Sequence, residues 1–274
     1  MRKYIFRDVP SIIGYSIVFL LLLFMVVGPF IGQGGAYEIG LSEKLAPPTS
    51  SHWLGTDELG RDIFSRMAVG AWYSFGIAFA VVIGAAFIGI ILGGIAGYAG
   101  GKIDNVIMRL CDAFMAFPQI FLAMVIATTC GAGIRATIFA LAVSWWPSYA
   151  RMVRGMVLSL KERLYVEAAD AIGRHPIQIV FGIIMPQTLT MLIPQVTMGI
   201  GSALIMASGF SFIGLGAQAP MPEWGAMISA GANYLFKAPW YPIVPGIFIT
   251  AAVFGISLVG DSLQEATNPE LRNI

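Results

Sequence analysis

Charge is what this chain has least of. Only 11% of its 274 residues are Asp, Glu, Lys or Arg, where a soluble domain carries about a quarter. The shortage is concentrated. No charge lies between Asp8 and Glu38, between Arg66 and Lys102, between Asp112 and Arg135, or between Lys237 and Asp261. About 20 apolar residues take a helix across roughly 30 Å of hydrocarbon, so each gap has room for a membrane span. With 57% hydrophobic residues and a mean hydropathy of +0.79, the composition argues against a soluble all-α protein. A net charge of +1 leaves no basic footprint for nucleic acid. The two cysteines, Cys111 and Cys130, read as small buried hydrophobes, with no disulfide implied.

Catalytic and metal-binding patterns are missing too. Gly101-Lys102 lacks the upstream glycine of a phosphate-binding loop and is followed by Ile103. Gly209-Phe210-Ser211-Phe212 is half a nucleophile elbow, but Ile213 occupies the second glycine position. The only histidines, His52 and His175, fall on opposite membrane faces in the topology below, so no shared metal site is expected. The chain is therefore read as a non-enzyme with no metal and no cofactor of its own.

What is present is an all-α, polytopic pattern of six expected transmembrane helices, at about 11–31, 72–98, 106–129, 135–153, 191–214 and 243–262. Arg2, Lys3 and Arg7 precede an apolar run too long for a signal peptide, which is read as a retained first span. Six spans put both termini on one side. With that side cytoplasmic, the inside segments hold eleven Lys and Arg, including Arg151, Arg154, Lys161, Arg163 and Arg174, against five outside. The positive-inside rule then sets both termini in the cytoplasm. The organisation divides into 1–71, a span plus an extracytoplasmic segment, and 72–274, a five-span core with a cytoplasmic loop at 154–190. Ala85, Gly89, Gly93 and Gly97 recur every four residues and form a small-residue stripe for close helix packing. Pro118 and Pro147 predict kinks. Arg109 and Asp112 are expected to pair locally, and Asp261 to hold the C-terminal tail.

The most patterned polar segment is Glu167-Ala168-Ala169-Asp170-Ala171-Ile172-Gly173, followed by Ile183-Ile184-Met185-Pro186. Ser159 and Glu162 have the spacing of a capping box that would start a helix near Leu160. Leu164, Ala168 and Ala171 share a face, Gly173 breaks the helix, and Pro176 opens a second short one that Pro186 ends. Glu167 can bond backbone or pair with Arg163, four residues back. Outside, His52-Trp53-Leu54-Gly55-Thr56-Asp57 and Gly60-Arg61-Asp62 lead into the second span, with Thr56 or Asp57 as a possible helix cap.

The spacing Glu-Ala-Ala, three residues, Gly, nine residues, Ile, one residue, Leu-Pro resembles the loop of permease subunits in ABC-type importers; here Met185 replaces the Leu. Further blocks resemble the second permease of the dipeptide, oligopeptide and nickel group. These are Gly55-Thr56-Asp57 with Gly60-Arg61-Asp62 and Ser65-Arg66, Tyr149-Ala150-Arg151-Met152-Val153-Arg154, Gly214-Leu215-Gly216, Pro222-Glu223-Trp224-Gly225 and Leu258-Val259-Gly260-Asp261. Two positions depart from that pattern: Trp72 stands for the usual Arg, and Asn268-Pro269 for Asp-Pro.

The resemblance implies a type I ABC importer permease fold in a bacterial-type inner membrane, a homologous partner permease, two ATP-binding subunits and an extracytoplasmic solute-binding protein. ATP and Mg would sit on the partner ATPase subunits, and Glu167, Ala168, Ala169, Asp170, Gly173 and Pro186 would couple to them. The segment at Gly55–Asp62 and the Glu223-Trp224-Gly225 block would serve the outer face. Peptides are the expected cargo, and a nickel or other metal chelate is the alternative. A secondary transporter driven by an ion gradient would want mid-membrane carboxylates or broken helices in paired repeats, and the sequence suggests neither.

Overall fold

The computed structural model describes residues 8–32 and 34–267, except for the Asp170 side chain, and every described element is helical apart from an isolated Thr56–Asp62 bridge. Arg2, Lys3, Arg7, Arg272 and the Asn268-Pro269 pair lie outside the described residues. The helices are α1 (Val9–Ile31), α2 (Ile63–Ala99), α3 (Gly101–Met115), α4 (Gln119–Cys130), α5 (Ile134–Lys161), α6 (Leu164–Ala171), α7 (Pro176–Ile179), α8 (Met185–Phe212), α9 (Trp224–Ala232) and α10 (Trp240–Thr267).

At 37 residues α2 is about 55 Å long and is the axis of the molecule. It packs along α5 and against α8, while α10 joins α8 to α1. The close α2–α5 approach follows from side chains that are missing. A Cβ on Gly89 would meet Tyr149, one on Gly93 would meet the Ala150 backbone, and one on Gly97 would lie 2.9 Å from the Val157 Cβ. In lipid, where apolar burial offers no drive between helices, such backbone proximity is what dispersion needs.

Among the described residues, four helical stretches are long and apolar enough to cross a membrane: Val9–Ile31, Ile63–Ala99, Pro176–Phe212 and Trp240–Thr267. The expected third span, 106–129, is not one straight helix. It is α3 and α4, bent by 87° at Ala116–Pro118, and would supply a fifth crossing if the pair counts as one. Pro118 disfavours helical backbone at the residue before it, so the chain breaks where the sequence suggested a kink. The expected fourth span falls in α5, which continues through Pro147 to Lys161. Trp145, Trp146, Pro147, Ser148, Tyr149 and Arg151 dilute its apolar character, and it falls outside the set that passes on length and hydropathy.

Helix α2 starts nine residues ahead of expectation, at Ile63, because the Asp62 carboxylate accepts from Ser65 N at 2.8 Å and caps it. Asp62, not Thr56 or Asp57, is the cap, and the 71/72 division falls inside this helix. The anticipated capping box is absent: Ser159 lies within α5 and Glu162 follows its end. Asp112 pairs with Arg151 at 2.7 Å, not with Arg109, because α3 lies antiparallel beside α5. Arg154 adds a two-pronged bond to Asp104, at 2.5 and 2.6 Å. Cys111 is buried under Trp146 as expected, whereas Cys130 is exposed.

Candidate functional site

Two polar clusters occupy opposite ends of α2. The first surrounds α6 and α7, at its Ala99 end. Val166 and Ala169 anchor α6 to the core, and Tyr165 donates to the Gln187 amide oxygen at 2.7 Å. Gly173 ends α6 with φ of +78°. Nothing lies within 4 Å of a Cβ added there, so backbone conformation, not space, calls for glycine. His175 then caps α7, with Pro176 at its first position.

Pro186 does not end α7. A π turn, Val180–Ile184, carries the helix directly into α8, and Pro186 lies in the first turn of α8. A proline ring clashes with the carbonyl four residues back; the wider π register, with Met185 N–H reaching Val180 O, relieves it. Glu167 and Ala168 are exposed, and Glu167 makes no side-chain bond among the described residues, so the Arg163 pair does not form. A cleft of about 480 Å³ lies beside it, bordered by Lys161, Glu162, Val166 and Ile179. Leu164 and Ile172, at 80% and 82% exposure, stand uncovered on the same segment.

The second cluster lies around the Ile63 end. Asp57, with no exposed surface, accepts from Leu59 N, Arg61 N and Arg61 Nε at 2.9, 3.0 and 2.6 Å, with Arg66 Nε 3.3 Å away. Arg66 also donates to Ala36 O. Thr56 donates to Glu43 O and accepts from Ala46 N. Gly55 and Gly60 have positive φ and tighten the turns on either side of this hub. His52 stands between two carboxylates, with Nδ1 3.0 Å from Asp62 and Nε2 2.9 Å from Glu43. Burial works to lower its pKa, but the hydrogen bonds to Asp62 and Glu43 outweigh that and hold it above the ordinary histidine value.

Glu223, also without exposed surface, caps α9 through Ala226 N at 2.9 Å and accepts from the hydroxyls of Ser74 and Ser208, both at 3.2 Å. Trp224 donates its backbone N–H to Ser74 and its indole N–H to Met67 O. Gly225 leaves room for the Ser208 backbone. The block thereby stitches α9 to α2 and α8. Trp72, where Arg was usual, donates to Met25 O at 2.8 Å and ties α2 to α1.

The sequence reading brought Asp57, Arg61 and Asp62 together but missed Glu43, which bonds His52 and Thr56, and Ala36, whose carbonyl accepts from Arg66; both reach the hub only through the turns of the 34–62 segment. It also missed that Gln195 and Ser202 share one face of α8 with apolar neighbours. Met191, Gln195, Met198, Ser202 and Ile205 recur at spacings of four and three, the helical signal that could have found it. Among the described residues, no cluster of His, Cys, Asp or Glu could hold a metal.

Residues 89–273 match the family described as binding-protein-dependent transport system inner membrane component. The chain is 38% identical over 271 residues to the dipeptide transport system permease protein DppC of Alkalihalophilus pseudofirmus, covering 99% of this chain and 89% of that one. It is 38% identical to the probable D,D-dipeptide transport system permease protein DdpC of Escherichia coli, over 93% of this chain and 85% of that one. With the glutathione transport system permease protein GsiD of Pectobacterium atrosepticum it shares 41% identity, over 82% of this chain and 75% of that one. A solved chain of the MetNI methionine ABC transporter, inward facing, superposes with a TM-score of 0.55 at 20% identity, covering 74% of this chain and 96% of that one. That last likeness concerns the fold alone: it is the type I ABC importer permease fold. On the family match and these relatives, the chain belongs to the inner membrane permease components of binding-protein-dependent ABC transport systems.

Proposed function

We propose that this chain is one of two homologous permeases that together enclose the translocation path of an ATP-driven importer of di- and oligopeptides. It crosses the membrane six times, counting α3–α4 and α5 as crossings, with both termini cytoplasmic. Two separate ATP-binding subunits, carrying ATP and Mg, engage the segment from Glu167 to Pro186. A solute-binding protein delivers cargo at the opposite face, beside the Asp57–Arg61–Asp62 hub and the Glu223-Trp224-Gly225 block. The names of the relatives support peptide cargo.

The observation that carries the coupling role is the surface of α6 and α7. Two large aliphatics, Leu164 and Ile172, stand uncovered beside the exposed Glu167, small alanines and an adjoining cleft. Uncovered apolar side chains among charged ones mark a surface that another protein buries. ATP binding on the partner shifts the transporter between states only through contacts that differ between them, and this segment offers such contacts.

Co-purification tests the reading. Gly173→Val forces a β-branched residue to φ of +78°, a strain of about 1–2 kcal/mol, and Glu167→Ala removes the exposed carboxylate. Both are expected to weaken recovery of the ATPase subunits and to abolish ATP-dependent dipeptide uptake. Association and uptake intact in both variants would sink the coupling role.

A further inference from the structure

Midway along α5 and α8, away from both clusters, lies a cavity of about 320 Å³. Gln119, Ser148, Gln195 and Ser202 give it a hydrogen-bonding lining, beside Trp145 and Met198. Among the described residues, no Asp, Glu, Lys, Arg or His lines it. Gln195 and Ser202 are exposed and have no hydrogen-bond partner among the described residues, on a helix that passes as a membrane span. Seven residues apart, they are separated by about 10 Å along one face. Unpaired amides and hydroxyls at that depth do not face hydrocarbon; they face water, cargo or another protein.

Two further observations point to an occupant. The Trp145 indole N–H is buried without an acceptor among the described residues, a costly state for a donor unless something supplies one. The break between α3 and α4 lies at the same level, because Gln119, the first residue after it, donates to Ser148 Oγ at 3.2 Å. Irregular backbone at membrane depth is tolerated where it lines a cavity or is covered by protein.

Resting on the peptide-importer reading, we infer that this cavity is the chain's contact with cargo in transit, and that it grips the peptide main chain. Its donors and acceptors match amide N–H and C=O groups, which every peptide presents. It has no charge to favour an acidic over a basic side chain or the reverse. The Met198 thioether adapts to varied side chains. Discrimination by cargo charge is therefore left to the solute-binding protein, and the path itself is indifferent to it.

The test uses the whole complex in liposomes, with Cys130, the exposed native thiol, replaced by serine. Gln195→Cys and Ser202→Cys should react with a membrane-impermeant maleimide, while Ile193→Cys, exposed on the other face of α8, should not. Gln195→Leu, which disturbs no internal bond, should cut uptake of radiolabelled neutral, acidic and basic dipeptides alike by about tenfold, the worth of one hydrogen bond. Labelling no faster than at Ile193→Cys, unchanged uptake, or a loss confined to one charge class overturns the inference. Absence of dipeptide uptake by the unsubstituted complex overturns the peptide reading itself, and the inference with it.

Discussion

Glu223 offers the sharpest quantitative test of the fold. Its carboxyl group has no exposed surface and holds three donors: the Ser74 and Ser208 hydroxyls and the Ala226 N–H. Glu223→Ala removes the acceptor from all three, where water has no evident access to replace it. A buried donor left unsatisfied costs about 1–3 kcal/mol, and loss of a helix cap costs about 1 kcal/mol. Allowing for partial relaxation, the variant should lose about 3–5 kcal/mol, which for a chain of this size lowers Tm by about 6–20 °C. Glu223→Gln keeps the shape and one oxygen but turns an amide NH2 toward a donor, so about 1–3 kcal/mol is expected. The assay is thermal unfolding in detergent, followed by a thiol-reactive dye at Cys111, which is fully buried in the fold, in a Cys130→Ser background. If Glu223→Ala melts within about 2 °C of the parent, the three bonds do not anchor α9 and the reasoning fails.

Two further outcomes are expected. Gly93→Val drives a side chain into the Ala150 backbone and should destabilise by about 1–3 kcal/mol or more, whereas Gly76→Ala, with open space at its Cβ, should be neutral or stabilising; equal melting temperatures would refute the backbone contact. His52, whose pKa is raised in the fold, stabilises the 34–62 segment fully below its unfolded value of about 6.5, and that contribution is lost as pH rises through the folded value. Tryptic cleavage at Lys44, exposed on this segment, should therefore accelerate with rising pH in the parent relative to His52→Gln, and parallel profiles would refute the role of the triad.

What the sequence made legible was set by local physics. Apolar runs located the long helices, four-residue spacing located the glycine stripe, and a glycine followed by proline located the break between α6 and α7. What it hid depended on partners distant in sequence. Asp112 finds Arg151 instead of Arg109 because a helix reversal brings α3 beside α5. Glu223 reads as a loop carboxylate until the fold places two serine hydroxyls on it, one from α2 and one from α8. Pro118 signalled a disturbance but not its size, an 87° bend after which the Asp104–Arg154 and Asp112–Arg151 pairs join α3 to α5, partners 39 to 50 residues apart in the chain. The α8 face that carries Gln195 and Ser202 was visible as spacing, but only their exposure distinguishes it from core.

The π turn has a mechanical consequence. Because Val180–Ile184 continues α7 into α8 without a loop, residues 176–212 form a single rod, about 55 Å from end to end. A rod is a lever: a tilt of about 5° about one end displaces the other by about 5 Å. Gln195 and Ser202 lie along its shaft, so under the proposed coupling a push at Pro176 would swing the cavity wall directly, with no relay of side chains between. The π turn, with its i→i−5 register, and Pro194, which removes one hydrogen bond inside α8, are two places along the lever where it can flex.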